Sequence, residues 1–451
     1  MRIKRIKIEN FRCFEELELE FHPRLTVLVA PNGGGKTAIL DAIALGLSPM
    51  LSRLSSANQR LNSAGFKDID FRLVNNNKCD HVKIEIETEI IDKSIKWDIA
   101  KSSHISKRND TKIGQKELYD FSNSIIKKID DKIDFDTNMY LPVFAYYGAR
   151  RGYIEVPQRL RKSRYAEINY SYPTSALYGA LESLTDFKEM LLWFYDEYCS
   201  ELIRKSEKKD IQSNSYDILQ KVRKTIKVLL GSIYYEPRFN EHRKFVIQKE
   251  NCGTEYSVEQ LSQGYQSMLA LAMDFSRRLG LARMPSFEKD NMHSIMLIDE
   301  VDLHLHPEWQ QRVIPDLMRV FKNTQFIVTT HSPHVLTTIK NENIRIIEQD
   351  NDGRFIAKEP ETPEVKGVES SVALADIQGV NPKPPVKEVE LYNDYISEIE
   401  KGEQGDKAKK HKLKNELAEI YSEKHPLMQN AEKLERFQEF KKSISKEKID
   451  A

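Results

Sequence analysis

Hydrophobic and polar residues alternate from the start of the chain. Ile6 and Ile8 are separated by Lys7, lead into Asn10-Phe11-Arg12-Cys13-Phe14, and are followed by Leu17, Leu19 and Phe21 before Pro23. A period of two puts one set of side chains on one face of a strand, so this stretch predicts an antiparallel hairpin. Leu25-Thr26-Val27-Leu28-Val29 is a short, mostly apolar run, as in a strand covered on both faces, and residues 37–47 change to helical spacing. Alternation returns over 82–100. Residues 102–138 are polar and lysine-rich and predict an insertion of low order, and 140–147 rejoin the sheet. Helical periodicity over 178–206 and 216–230 predicts a helical lobe, with a further helix over 268–281. The apolar runs 294–298 and 326–328 read as buried parallel strands. Asp350-Asn351-Asp352-Gly353 between two short alternating runs is a hairpin turn signal. From Val386 the chain becomes lysine- and glutamate-rich helix, over 392–400, 407–422 and 432–442. These elements predict an α/β fold: a mixed sheet, an antiparallel β subdomain, a helical lobe and a charged α-helical extension. The expected domains are 1–385, with the lobe and insertions within about 100–260, and 386–451.

Composition narrows the class. The chain has 451 residues, 40% of them hydrophobic and 31% charged, enough for a real core with long exposed helices. Lys and Arg together number 69, as do Asp and Glu, so net charge gives no argument for nucleic acid. Cys13, Cys79, Cys199 and Cys252 are scattered without metal-ligand spacing, which suits a reducing compartment. No apolar run approaches the ~18 residues a membrane span needs, and the alternating start predicts no signal peptide. A cytoplasmic protein without membrane association is expected.

The candidate chemistry is concentrated in four places. Ala30-Pro31-Asn32-Gly33-Gly34-Gly35-Lys36-Thr37 joins the strand at 25–29 to a helix, the arrangement of a phosphate-binding Walker A loop with alanine in place of its first glycine. Gly33 and Gly35 let successive N–H groups converge on one anion, Lys36 reaches the outer phosphates, and the Thr37 hydroxyl suits Mg²⁺. Ala30 fits only if its φ is negative. The run at 294–298 ends in Asp299 and Glu300, where Asp299 would support the Mg²⁺ site and Glu300 would activate water. Alone, the pair reads less often as a core strand followed by an acidic turn. His331 in Thr329-Thr330-His331-Ser332 is a γ-phosphate switch or a strand-end histidine. Leu261-Ser262-Gln263-Gly264-Tyr265-Gln266-Ser267 opens the helix over 268–281, so Ser262 and the Gly264 N–H form a second anion-facing helix start.

In that order these motifs resemble those of ABC-type ATPases, with 261–267 similar to the LSGGQ signature apart from Gln263 and Tyr265. The resemblance implies ATP and Mg²⁺ as cofactors. It also implies a head-to-tail dimer, in which Ser262 and Gly264 close over the nucleotide of the other head. The Asn10–Phe14 opening and Asp302-Leu303-His304-Leu305-His306-Pro307 resemble the SMC, RecF and OLD-like branch, which implies that Arg12 lies near the nucleotide. The His304–His306 pair reads more simply as a dimer-facing loop than as metal ligands. Arg150 and Arg151, after the strand at 140–147, touch phosphate or a partner head, or lie in a solvated loop.

The rest of the chain bears on partners. Gln158-Arg159-Leu160-Arg161-Lys162-Ser163-Arg164-Tyr165 is a basic stretch open to a DNA-backbone reading or a solvated one. Asp350 and Asp352 mimic a nuclease metal motif, yet the turn signal around Gly353 favours a hairpin, and no His-Asn-His pattern is present. An ATPase head without its own nuclease resembles PtuA of the two-component Septu anti-phage systems, whose partner PtuB is an HNH-type nuclease. The resemblance implies ATP-dependent control of a nuclease in trans. A RecF-like repair ATPase, an OLD-type ATPase-nuclease and a transporter subunit remain alternatives.

Overall fold

The structure, a computed structural model, describes residues 1–55, 60–61, 64–90, 93–103, 113–130, 141–152, 168–170, 172–183, 187–207, 214–250, 253–282, 293–422 and 424–447. The basic stretch at 158–165 and Cys252 lie outside the described residues. The chain divides into two compact units, Met1–Gln378 and Gly379–Ala451.

In the first unit the opening alternation forms β1 (Arg2–Phe11) and β2 (Phe14–Glu20). Their register pairs Ile6 with Leu19 and Ile8 with Leu17, so the apolar sets share one buried face. β6 (His81–Ile90) and β7 (Lys93–Ser102) extend this antiparallel sheet in the order β2-β1-β6-β7, and β4 (Leu73–Val74) with β5 (Asn77–Lys78) forms a small exposed hairpin. The second sheet has six strands in the order β15-β14-β3-β13-β12-β8. They are β3 (Leu25–Val29), β8 (Val143–Tyr147), β12 (Ser294–Ile298), β13 (Thr324–Thr329), β14 (Ile344–Gln349) and β15 (Phe355–Lys358). All pair in parallel except β15 on β14. Gln325 ties the two sheets together: its side-chain oxygen accepts from Ile3 N at 2.8 Å, and its Nε2 donates to Ile3 O at 2.8 Å.

Helix α1 (Lys36–Leu54) continues beyond the expected 47 and is buried along most of its length. Trp97 of β7 donates Nε1–H to Gly46 O at 2.7 Å and fixes the antiparallel sheet against α1. Among the described residues α1 is the one helix long and apolar enough by composition to cross a membrane; here burial within the head accounts for that composition.

The insertion expected to have low order contains a helix, α2 (Gln115–Asp130). Leu118, Ser122, Ile125 and Ile129 recur every three or four residues and are buried, with Phe121 and Ile126 packed beside them, so one apolar face anchors the helix. The helix expected from 178 begins later, as α3 (Phe187–Ser206): a 3₁₀ turn covers Pro173–Leu177, and Gly179 has φ +60°, which an α-helix cannot continue through. α4 (Asn214–Leu229), the three-stranded sheet β9 (Tyr234–Phe239), β10 (Phe245–Lys249) and β11 (Glu255–Ser257), and α5 (Gln263–Leu281) complete the helical lobe. Short helices α6 (Pro307–Gln310), α7 (Val313–Val320), α8 (Pro333–Leu336) and α9 (Ser370–Asp376) follow the sheet strands.

Asp350 to Arg354 form the turn between β14 and β15. The Asp350 Oδ1 accepts from the N–H groups of Asp352 (2.9 Å) and Arg354 (2.8 Å), so this carboxylate shapes a hairpin.

The second unit consists of α10 (Lys387–Glu400), α11 (Lys407–Ile420) and α12 (Pro426–Glu447). Tyr395, Ile399, Leu413, Leu417, Met428 and Ala431 form its own core. The Asp406 Oδ1 caps α11 by accepting from Ala408 N and Lys409 N at 2.8 and 3.1 Å.

Candidate functional site

The segments after β3, β8, β12 and β13 emerge together at the carboxyl edge of the parallel strands, where α/β sheets place ligands. The loop from Ala30 to Gly35 supplies the first wall. Gly33 and Gly35 have φ of +80° and +83°, while Ala30 is not among the described residues with positive φ, which removes the objection to a methyl group there. Gly35 is the N-cap of α1 and brings no side-chain cap, so the first N–H groups of the helix face the loop. Pro31, Asn32 and Gly33 are exposed, with Gly34 half-buried. The Lys36 ammonium folds back to donate to Ala30 O at 2.8 Å and Pro31 O at 3.2 Å. Burial lowers its pKa, against the pull of Asp299, Glu300 and Asp302.

Thr37 joins this wall to the next. Its hydroxyl donates to Asp299 Oδ2 at 2.9 Å, and Asp299 Oδ1 accepts from Thr329 Oγ1 at 2.7 Å. Thr329 Oγ1 also accepts from Glu300 N at 2.7 Å. Four residues, from α1, β13 and the segment just after β12, therefore form one continuous chain of hydrogen bonds. Glu300 has φ +48°, a left-handed conformation that costs an L-residue roughly 1–2 kcal/mol. Beyond it, Thr330 Oγ1 donates to Asp302 Oδ1 at 2.5 Å. His331 is exposed at the end of β13, and its carbonyl accepts from Gln378 Nε2 at 2.9 Å.

Arg12 takes up a different environment from these residues. With φ +52°, it donates from Nη1 to Asp41 Oδ2 at 2.6 Å and from Nε and Nη2 to Asp70 Oδ1 at 3.1 and 3.0 Å. Tyr146 donates to the other Asp41 oxygen at 2.8 Å. Burial opposes the guanidinium charge, yet Asp41 and Asp70 raise its pKa overall. Arg12 thus stands beside α1, held by two carboxylates.

The helix start of α5 forms a separate surface. Ser262, the N-cap, is exposed, and its hydroxyl makes no capping hydrogen bond. Gly264 abuts the loop after β12: a Cβ there would lie 2.7 Å from His304 O, so any side chain would displace that loop. Tyr265 packs edge-on against Trp309 and Tyr234, with ring centroids 4.6 and 4.9 Å apart. His306 accepts from Glu308 N through Nδ1 at 3.4 Å as the N-cap of α6, while His304 has φ +61°.

Two groups of side chains went unread in the sequence. Thr329 and Thr330 fix the acidic loop, although only their position after a strand was apparent. Asp274, in the middle of α5, accepts from Tyr147 Oη (2.8 Å), Arg278 Nε (2.7 Å) and Arg277 Nη2 (2.8 Å), and Arg277 also donates to Glu189 at 2.7 Å. Arg151, expected at a phosphate, a partner head or in solvent, is buried beneath Asp299 and Glu300. The carbonyl groups it reaches carry no signal in sequence.

Comparison with known proteins places the chain among ATPases. The AAA ATPase domain profile matches residues 1–336. The Retron Ec83 probable ATPase of Escherichia coli is 30% identical over 448 residues, covering 85% of this chain and 77% of that protein. The Retron Vc95 probable ATPase of Vibrio cholerae serotype O1 biovar El Tor is 27% identical over 450 residues, covering 90% and 84%. The Septu protein PtuA of Bacillus thuringiensis is 23% identical over 354 residues, covering 78% and 77%.

Proposed function

Because the chain belongs to the AAA ATPase domain family, we propose that it is the nucleotide-gated subunit of a cytoplasmic anti-phage defence complex. In this reading its head hydrolyses ATP, and a second, nuclease subunit resembling PtuB does the cutting. The hydrogen-bonded chain Thr37–Asp299–Thr329–Glu300 carries the proposal for the head.

Gly33, Gly34 and Gly35 would present N–H groups to the phosphates, with Ala30, Pro31 and Asn32 completing the loop and Lys36 turning from its carbonyl partners to the γ-phosphate. Thr37 and Asp299 offer adjacent hard oxygen atoms, 2.9 Å apart, and would hold Mg²⁺, which when bound neutralises phosphate charge. Glu300 would accept a proton from water as its oxygen attacks the γ-phosphorus, and the bond from that phosphorus to the bridging oxygen of ADP breaks. His331 would contact the γ-phosphate from the other side, and Arg12 would reach the nucleotide after loosening its hold on Asp41 or Asp70.

Ser262 and Gly264 would serve the nucleotide of a second copy in a head-to-tail dimer. Support comes from the exposed hydroxyl of Ser262 and the unspent N-terminus of α5. Similarity to the Septu protein PtuA supports the nuclease partner, and DNA would be reached through that subunit or directly.

The dimer makes a quantitative demand. Lys36→Ala and Ser262→Arg chains should each be inactive, while an equimolar mixture should regain about a quarter of the wild-type ATPase rate, because half of the dimers then hold one intact composite site of two. A mixture no more active than either variant alone would reject the head-to-tail arrangement.

A further inference from the structure

Arg151 sits in a 3₁₀ turn (Ala149–Gly152) after β8 and is only 4% exposed. Its Nη1 donates to Asp299 O and, at 3.3 Å, to Gly148 O; its Nη2 donates to Glu300 O at 2.7 Å. Burial brings its pKa down to about 10, with the charges of Asp299, Asp302 and Glu300 opposing the fall, so the guanidinium remains charged at neutral pH. Burying such a charge is costly unless its hydrogen bonds are well used. Here both terminal nitrogens are used on backbone carbonyls, chiefly those of Asp299 and Glu300 just after β12, while the buried Nε has no hydrogen-bond partner among the described residues.

The target of those bonds is unusual in itself. Glu300 holds a left-handed φ of +48°, and such a conformation persists only where its surroundings over-determine it. Its N–H goes to Thr329 Oγ1, and its carbonyl accepts both from Arg151 and from Leu303 N at 2.9 Å. With both peptide groups held, the direction of its Cα–Cβ bond is set.

The other end of the same segment is tied to the signature helix. Tyr147 accepts from Asp299 N through its carbonyl at 2.8 Å, and donates through its hydroxyl to Asp274 of α5 at 2.8 Å. Tyr147 to Arg151 therefore bridges the helix that begins at Ser262 and the loop that carries Glu300.

We propose that Arg151 is a positioning residue that holds Glu300 in its left-handed conformation and couples its placement, through Tyr147 and Asp274, to the signature helix. The proposal rests on Glu300 being the general base. It makes Arg151 a determinant of turnover, with no part in nucleotide binding.

The test uses the full chain. Arg151→Ala should lower kcat about ten- to a hundredfold, as small misplacements of a catalytic group do, while ATP affinity by calorimetry stays within about threefold. Added guanidinium chloride, at tens of millimolar, should restore at least part of that rate in Arg151→Ala but none in Glu300→Gln. Arg151→Lys keeps the charge without the two-pronged reach and should fall between wild type and alanine, which covers the case in which the alanine variant does not fold. The proposal is overturned if either Arg151 variant turns over at the wild-type rate while Glu300→Gln is inactive. It is overturned equally if the lost rate tracks lost ATP affinity and guanidinium restores nothing. A Glu300→Gln chain that hydrolyses ATP normally would instead remove the base on which the proposal stands.

Discussion

The buried cluster around Asp274 makes a prediction whose size can be worked from its contacts. Asp274 and Glu189 are two carboxylates facing the guanidinium groups of Arg277 and Arg278, and all four residues are buried. Asp274→Asn preserves volume but leaves two cations with one carboxylate. Arg277 keeps Glu189, whereas among the described residues Arg278 keeps the carbonyl groups of Ala176 and Tyr178 at 2.8 Å. The new amide N–H group would also face donors. Breaking a buried pair in this way costs about 3–5 kcal/mol. A unit spanning residues 1–378 has an unfolding entropy of roughly 0.8 kcal/mol/K, so the melting temperature should fall by about 4–6 °C. Tyr147→Phe, which removes one donor, should cost about 1 kcal/mol and shift it by roughly 1 °C. Calorimetry near neutral pH measures both. Acid adds a second signature. Burial alone would raise the Asp274 carboxyl, but Arg278 and Arg277 bring it down to about 2 from the ordinary 3.8. A group depressed in the folded state stabilises above its unfolded pKa and loses that stabilisation as pH falls through the folded one. The shift is worth roughly 2 kcal/mol, about half of it gone by pH 3, so the gap between wild type and Asp274→Asn should narrow by about 1 kcal/mol between pH 5 and pH 3. A variant melting within a degree of wild type near neutrality, or a gap indifferent to this acidification, refutes the reasoning.

Lys36→Ala removes a charge-assisted contact worth about 1.5–3 kcal/mol, so ATP affinity should fall by about ten- to 150-fold with circular dichroism unchanged. Calorimetry giving the wild-type affinity would withdraw the phosphate-binding role of the loop. A chain ending at Gln378 keeps the whole core of the first unit and should still bind ATP, yet should lose co-purification with the proposed nuclease subunit. Full capture of that nuclease by the shortened chain would move the docking surface to the head.

The parts of the site that were legible in the sequence are those whose chemistry is local. Gly33, Gly35, Lys36 and Thr37 lie within five residues, and each residue type is demanded by the geometry of a phosphate-binding loop. The apolar runs that became β3, β12 and β13 were equally plain. Arg151 could not be read in this way. An arginine after a strand looks the same whether it meets solvent or the carbonyl of Glu300, and only the pairing of β8 with β12 decides. The bracket around Arg12 draws on Asp41 and Asp70 from separate elements. α2 carries an apolar stripe as regular as that of α4, with Leu118, Ser122, Ile125 and Ile129 at helical spacing, but the lysine-rich polar composition of 102–138 as a whole pointed to low order and outweighed that local period.

The position of β3 sets a schedule for synthesis. Both of its neighbours in the sheet, β13 and β14, are made late, and Gln325, which secures β1 to the second sheet, lies 322 residues after Ile3. At ribosomal rates of about 5–20 residues per second, the loop at 30–37 waits roughly 15–60 s for the strand bearing Thr329 to arrive. Before Asp299 is made the Thr37 hydroxyl lacks its partner, and until Thr329 follows the Glu300 N–H lacks its own. The hydrogen-bonded link from Thr37 through Asp299 to Thr329 thus closes only late in translation, when the central strand meets its partners.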